Sequence, residues 1–220
     1  MSVTAHVAGE TLELFPERAA FWPRRRTLFV ADAHFGKAAA FRAGGIPVPS
    51  GTTNAALRRL DTLIDVTGAA RVVFLGDFLH AREGRAPETL QVLSEWRARR
   101  SHIELLLVRG NHDRRAGDPD SGLIIHCVDA PHVEPPFAFA HYPTPSDSGY
   151  VFAGHIHPSV SLYGGARQSE RLPCFWFGAR AGVLPAFGEF TGFVDVPVTE
   201  GDQVWVIAGA EIRQVTGAAA

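Results

Sequence analysis

The sequence predicts an α/β protein in which two sheets pack into one sandwich with outer helices, and three observations carry that prediction. Apolar runs of strand length recur and stop abruptly on polar side chains, helical periodicities separate them in the first half, and beyond residue 121 the pattern changes to short strands. The clearest run is Leu105-Leu106-Leu107-Val108, which leads through Arg109 into Gly110-Asn111-His112-Asp113. Its branched residues suit a strand covered on both faces, and Gly110 is expected to let the backbone turn sharply without a Cβ clash. Asn111, His112 and Asp113 then stand at the carboxyl end of the strand, where the loops of open α/β sheets converge on ligands.

Taken in order, Val3 to Val7 and Thr11 to Leu14 flank Gly9-Glu10 as a hairpin, and Thr27 to Ala31 forms the first core strand, running into Asp32-Ala33-His34. The stretch Gly44-Gly45-Ile46-Pro47-Val48-Pro49 cannot continue a helix. Ser50 is the expected cap of one that carries Ala56, Leu57, Leu60, Leu63 and Ile64 on a single face and ends near Gly68. Val72 to Leu75 runs into Gly76-Asp77, and Pro87 suits the first turn of a helix bearing Leu90, Leu93 and Trp96. Ile103 to Val108 is expected to close the α/β half. In the β half, Phe137-Ala138-Phe139-Ala140 leads into His141, and Tyr150-Val151-Phe152-Ala153-Gly154 leads into His155-Ile156-His157. Gly164-Gly165 reads as a hairpin, and Phe175-Trp176-Phe177 as a dense core strand. No repeat or low-complexity linker divides the chain, so residues 1–220 are expected to form one domain.

Composition narrows the class. A hydrophobic content of 46% in 220 residues supports a substantial core. The start, Met1-Ser2-Val3-Thr4-Ala5-His6, lacks the basic region and apolar block of a signal peptide, and no apolar run approaches a membrane span, so a soluble, cytoplasmic chain is expected. Cys127 and Cys174 are expected to be reduced core residues. The net charge of -2 argues against coating long nucleic acid by nonspecific phosphate contacts, so a polyanionic substrate has to be held locally. Lys37 is the only lysine among 21 basic residues, which makes Arg24-Arg25-Arg26 and Arg97-Ala98-Arg99-Arg100 better explained by coding bias, on a solvated edge and a helix end.

Five strand ends together bring Asp32, His34, Asp77, Asn111, His141, His155 and His157, a mixed oxygen and nitrogen ligand set that suits divalent Mn, Fe, Co or Zn better than Ca or Mg. Singly, Asp32 could cap a turn and His141 could be a structural histidine; all seven falling at strand ends is what points to metal. Seven ligands exceed the needs of one ion. Two ions about 3.5–4 Å apart can share a carboxylate and hold both the attacking and the leaving oxygen of an in-line displacement at phosphorus. Phosphoester hydrolysis is the natural reaction.

In order along residues 32–157, Asp32-Ala33-His34, Gly76-Asp77, Gly110-Asn111-His112-Asp113, His141 and Gly154-His155-Ile156-His157 resemble the motifs of calcineurin-like metallophosphoesterases. The resemblance implies a four-layer α/β/β/α metallophosphoesterase sandwich of two mixed sheets with outer helices, built around a two-metal centre. It implies that Asp32, His34 and His157 hold one ion, that Asn111, His141 and His155 hold the other, and that Asp77 bridges them. His112 then stands beside the substrate as a catalytic imidazole, while Asp113 either orients it or caps the loop. Phe35-Gly36-Lys37, the stretch from Gly44 to Thr52, and Phe177-Gly178-Ala179-Arg180 are similar to the bacterial DNA ligase-associated metallophosphoesterases, described as DNA damage response endonucleases. That narrower resemblance implies a manganese-activated endonuclease with a DNA substrate, a role in DNA repair and association with a DNA ligase, helicase or exonuclease. Lys37, His80, Arg82 and Arg114 are candidates for substrate contact, with His80 alternatively bonding a backbone carbonyl. The same motifs leave open a phosphomonoesterase or nucleotide hydrolase, and a non-catalytic interaction scaffold is the reading from another class.

Overall fold

The computed structural model describes residues 1–163 and 169–215. Its first sheet takes seven strands in sequence order: β1 (Val3–Val7), β2 (Glu10–Phe15), β3 (Ala19–Trp22), β4 (Thr27–Val30), β5 (Arg71–Phe74), β6 (Glu104–Val108) and β7 (His126–Val128). β1 to β4 form an antiparallel meander, and β4 to β7 run parallel. Four helices belong to this half: α1 (Lys37–Ala43), α2 (Thr52–Thr67), α3 (Pro87–Arg99) and α4 (Asn111–Ala116). The second sheet collects β8 (His132–Glu134), β9 (Phe137–Phe139), β10 (Tyr150–Ala153), β11 (Pro158–Tyr163), β12 (Ser169–Phe177), β13 (Ala181–Val183) and β14 (Val194–Asp195), with β15 (Gln203–Ala208) and β16 (Glu211–Val215) joined beside β12. Two mixed sheets with outer helices therefore make the α/β fold that the motif pattern predicts. No helix of the described residues is long and apolar enough to cross a membrane.

Strand alternation explains the layering. Leu28, Val30, Val72, Phe74, Leu105 and Leu107 face one way and pack on Leu57, Leu60, Leu63 and Ile64 of α2 and on Leu93 and Trp96 of α3. Phe29, Ala31, Val73, Leu75, Leu106 and Val108 face the other way, onto Phe137, Phe139, Phe152, Phe175 and Phe177 of the second sheet. The seam between the sheets is strongly aromatic. Phe29 stacks on Phe152 at 5.3 Å and 6°, and Phe137 meets Phe152 edge-on at 4.6 Å. Strands buried on both faces read as continuous apolar runs, which is why β4, β5 and β6 were so legible.

Register then sets the chemistry. Val30 lies opposite Phe74, and Phe74 opposite Leu107, so the loops after β4, β5 and β6 leave the sheet side by side. In the second sheet Phe139 lies opposite Phe152, which brings the residues after β9 and β10 to the same edge.

Some local expectations change. Ser50 does not cap α2: the cap residue is Gly51, left-handed at φ 85°, and no side chain bonds the first turn. Pro87 does occupy the first turn of α3, and Gly68 ends α2 in the left-handed conformation. The α/β half does not close at β6, because β7 adds to it in parallel, and the sequence reading missed β3, α1 and α4. The Gly164-Gly165 turn lies outside the described residues, although the strands that flank it, β11 and β12, pair antiparallel. Both cysteines are free. Arg24 pairs with Glu10, Arg26 donates to the Gly68 carbonyl, Arg97 to those of Arg100 and Ile103, and Arg100 bonds Asp61 and Asp65, so the arginine runs serve the scaffold.

Candidate metal centre

The loops after β4, β5, β6, β9 and β10 meet at one end of the sandwich and are sewn together by backbone hydrogen bonds. Asp32 N–H donates to the Gly76 carbonyl at 3.2 Å, His34 N–H to that of Asp77 at 2.8 Å, and Gly154 N–H to that of His141 at 3.2 Å. Five of the seven ligand-type residues, Asp32, His34, Asp77, His155 and His157, hold a positive φ between 47° and 72°. A non-glycine residue there costs roughly 1–3 kcal/mol, and such strain concentrates where side-chain direction serves function.

Close approach, not turning, fixes the glycine at position 110. Its backbone is extended, at φ -92° and ψ -178°, contrary to the turn expected for it. A Cβ there would lie 2.1 Å from Asp77 Oδ1 and 2.6 Å from the Asp77 nitrogen. Only glycine lets the loop after β6 rest on the carboxylate of the loop after β5.

The structure brings all seven residues together. Asp32 is fully buried, and its Oδ2 accepts from the His155 N–H at 2.8 Å. Its Oδ1 has no hydrogen-bond partner and lies 3.8 Å from both His141 Nδ1 and His157 Nε2. Asp77 turns its two oxygens in different directions: Oδ1 is 3.5 Å from His141 Nε2, and Oδ2 is 3.9 Å from His34 Nε2 and from His112 Nε2. The His112 backbone N–H also donates to Oδ1 at 3.0 Å. Burial, with the Asp32 charge adding to it, raises the Asp77 carboxyl above the usual carboxylate range. Burial likewise pushes the imidazoles of His34 and His155 down, holding them neutral as metal ligation requires.

Backbone carbonyls aim several of the rings. Nδ1 of His141 donates to the Leu75 carbonyl at 3.1 Å, Nδ1 of His157 to that of Gly192 at 3.1 Å, and Nδ1 of His112 to that of His80 at 2.5 Å. Each bond leaves Nε2 as the nitrogen available for other work. His141 Nε2 then faces Asn111 Oδ1 at 3.0 Å and His155 Nδ1 at 3.1 Å. Three atoms that can ligate, His141 Nε2, Asn111 Oδ1 and His155 Nδ1, thus converge on one point and mark a place for a cation. Asp32 Oδ1, buried without a partner, asks for the same thing. Ligand atoms of Asp32, His34 and His157 lie within 4.8 Å of one another, as do those of Asp32, Asp77 and His141. The donor set fits divalent metal ions.

Other predicted residues divide. His80 joins the site, with its Nδ1 3.5 Å from His34 Nδ1 and its ring stacked on His112 at 4.9 Å; burial first, then Lys37, lowers its pKa to about 4. Its backbone carbonyl accepts from His112 Nδ1, a bond made by the main chain and not by the imidazole, so the expected bond from its ring to a backbone carbonyl is not the one formed. Lys37 begins α1 near Asp32 and Asp77, and burial lowers its pKa. Arg82 donates to the Arg115 carbonyl and Arg114 pairs with Asp129, so both guanidinium groups are engaged away from the ligand set. Asp113 does not orient His112. Fully buried, it accepts from Gly110 N–H at 2.9 Å and Leu79 N–H at 3.1 Å, which makes it the cap that ties two loops together.

The sequence reading missed Tyr142, whose hydroxyl donates to Asn111 Oδ1 at 3.3 Å and whose ring lies 4.4 Å from that of His155. Its only sequence signal is adjacency to His141. It also missed the Gly192 carbonyl, because backbone acceptors leave no mark in side-chain identity.

With this geometry in hand, comparison with known proteins is specific. A Pseudomonas putida nuclease, MPE, of known crystal structure is 40% identical, with a TM-score of 0.87 over 98% of this chain and 100% of that one. Two other solved structures match far more loosely. An Aquifex aeolicus protein of unknown function, AQ665, is 18% identical over 60% of this chain and 78% of that one, with a TM-score of 0.38. The E. coli phosphoesterase Yfce is 16% identical over 86% of this chain and 98% of that one, with a TM-score of 0.39. No curated protein matches the chain. The family model described as calcineurin-like phosphoesterase matches residues 25–172, a span that holds all seven ligand-type residues, and the chain belongs to that family.

Proposed function

We propose that this chain is a two-metal phosphodiesterase that cleaves nucleic acid, a DNA endonuclease serving DNA repair, with manganese as its activating ion. The observation that carries the substrate class is the 40% identity, across almost the whole chain, to a protein described as a nuclease. Docking on a DNA ligase, helicase or exonuclease is part of the same proposal and rests on motif resemblance alone.

Asp32, His34 and His157 would hold one ion and Asn111, His141 and His155 the other, with Asp77 between them. Bound there, the ions supply Lewis-acid charge that stabilises the attacked phosphoryl group. The protein's own share is positional and protonic. With Nδ1 of His112 committed to the His80 carbonyl, Nε2, 3.9 Å from Asp77 Oδ2, is the atom left to work as an acid: in the imidazolium form it would hand its proton to the leaving oxygen and return to the neutral ring. Stacking against His80 fixes the plane of that ring. Lys37 adds a half-buried positive charge beside the carboxylates, suited to an incoming phosphate. Tyr142 holds Asn111 through its hydroxyl and presents a half-exposed ring at the rim.

A phosphomonoesterase or nucleotide hydrolase draws support from the net charge of -2, which gives long polyanions little general attraction. Turnover of a nucleoside monophosphate, set against cleavage of a short single strand and a nicked duplex under manganese saturation, separates the readings. Faster cleavage of the DNAs is the expected result. A strong monoester preference would overturn the nuclease assignment, and no hydrolysis of any phosphoester would favour a scaffold.

A further inference from the structure

The chain from Ala186 to Val194 lies beyond the matched family segment yet closes over one side of the centre. It acts as a strap. The Phe187 N–H donates to the Ala31 carbonyl at 2.8 Å and the Gly188 N–H to the Asp32 carbonyl at 3.0 Å. Its backbone rests so closely on that loop that a Cβ on Gly188 would fall 2.6 Å from the Ala33 oxygen and 2.9 Å from the Asp32 oxygen. At its far end the Gly192 carbonyl accepts from His157 Nδ1, and the Val194 N–H donates to the His157 carbonyl at 3.2 Å. One short segment therefore grips the backbone of Asp32 and both the ring and the backbone of His157. Among the described residues none of its hydrogen bonds reaches Asn111, His141 or His155.

Two arginines hold the strap from outside the centre. Arg59, on α2, lays its guanidinium 4.2 Å over the Phe187 ring, donates to the Phe187 carbonyl and lies 3.8 Å from the Glu189 carboxylate. Arg18 donates to the Ala186 carbonyl at 3.3 Å. Burial lowers the pKa of both groups, an electrostatic cost that an apolar residue facing Phe187 would have avoided. What the guanidinium adds over an apolar side chain is directional hold on strap carbonyls.

We propose that Arg59, supported by Arg18, is a positioning residue: through the strap it sets the aim of Asp32 and His157, and with it the affinity of the one ion those residues would hold. This rests on the two-ion assignment above. Losing an outer-shell partner typically costs about 10–100-fold in metal affinity, and Arg59, one contact further out, should sit near the lower end.

The test is calorimetric titration of the metal-free protein with manganese, for the parent, Arg59→Met, Arg59→Lys and Arg18→Gln, with thermal melting and histidine nitrogen resonances recorded alongside. In Arg59→Met one binding step should weaken by roughly tenfold while the other keeps its affinity, and the His157 ring signals should move while those of His141 stay. Arg59→Lys, which keeps a cation over Phe187, should recover part of the loss, and Arg18→Gln should shift the same step by less. Unchanged binding in Arg59→Met and Arg18→Gln, or both steps falling together with the melting temperature, would overturn the proposal. Should Arg59→Met not fold, Arg18→Gln and Arg59→Lys still decide it, by whether one step moves alone. A parent that takes up a single ion would instead overturn the two-ion assignment itself, before any variant is compared.

Discussion

The first sheet and the second contribute unlike things to the metal centre. From the first come both carboxylates, Asp32 and Asp77, which are 0% and 2% exposed, with the buried His34 and the amide of Asn111. From the second come imidazoles only, grading outward from buried His141 to the half-buried His155 and His157. Helices α2 and α3 pack behind the carboxylate side, where the strap touches Asp32 only through its backbone, whereas at His157 the strap bonds the ring itself. The difference amounts to a division of labour: fixed negative charge from the rigid sheet creates the demand for cations, and the imidazoles of the second sheet add nitrogen ligand atoms, which on the proposed two-ion reading would complete the coordination. Two buried carboxylates so close together oppose each other's ionisation, as the raised Asp77 pKa records, and bound cations relieve that opposition.

Substitutions can break this comparison in order of size. Asp77→Asn removes charge from the first sheet where the two ligand groups meet, so it should loosen both ions and lower the rate by roughly 10³–10⁵-fold, a loss of several kcal/mol at the transition state. Excess manganese should restore part of it. His112→Asn, which takes away a ring but no ligand, should lose about 10²–10⁴-fold in kcat with both ions retained; metal analysis showing an ion missing would make His112 a ligand. His157→Asn touches only the second sheet and should weaken one ion by at least roughly 10–100-fold, measurable by titration. Asp113→Ala should act on stability, leaving two buried N–H groups unpaired at about 1–3 kcal/mol each. It should lower Tm with metal content nearly unchanged, and a large fall in kcat without a fall in Tm would return Asp113 to the chemistry.

How far the sequence disclosed this site follows from the kind of interaction involved. Strands buried on both faces announce themselves as apolar runs, and ligand-type residues at their ends could be picked out one by one, so Asp32, His34, Asp77, Asn111, His141, His155 and His157 were nameable before their meeting was visible. The positive φ of five of them was not, because aspartate and histidine carry no signal for left-handed backbone comparable to glycine's. Gly110 was noticed for a turn it does not make; the close approach of Asp77 that requires it depends on two loops distant in sequence. Asp113 beside His112 suggested a partnership, but α4 sends their side chains to different neighbours, and the partner of His112 is a main-chain carbonyl. The strap escaped for a related reason: its contacts with Asp32 and His157 run through backbone atoms.

The most direct test of the central claim is the number of manganese ions bound per chain, counted on the purified, metal-saturated parent while hydrolysis of bis(p-nitrophenyl) phosphate is followed through stepwise chelation. Two ions per chain are expected, with activity vanishing as they are withdrawn and returning on readdition. Full activity after chelation, or saturation at a single ion, would contradict the account.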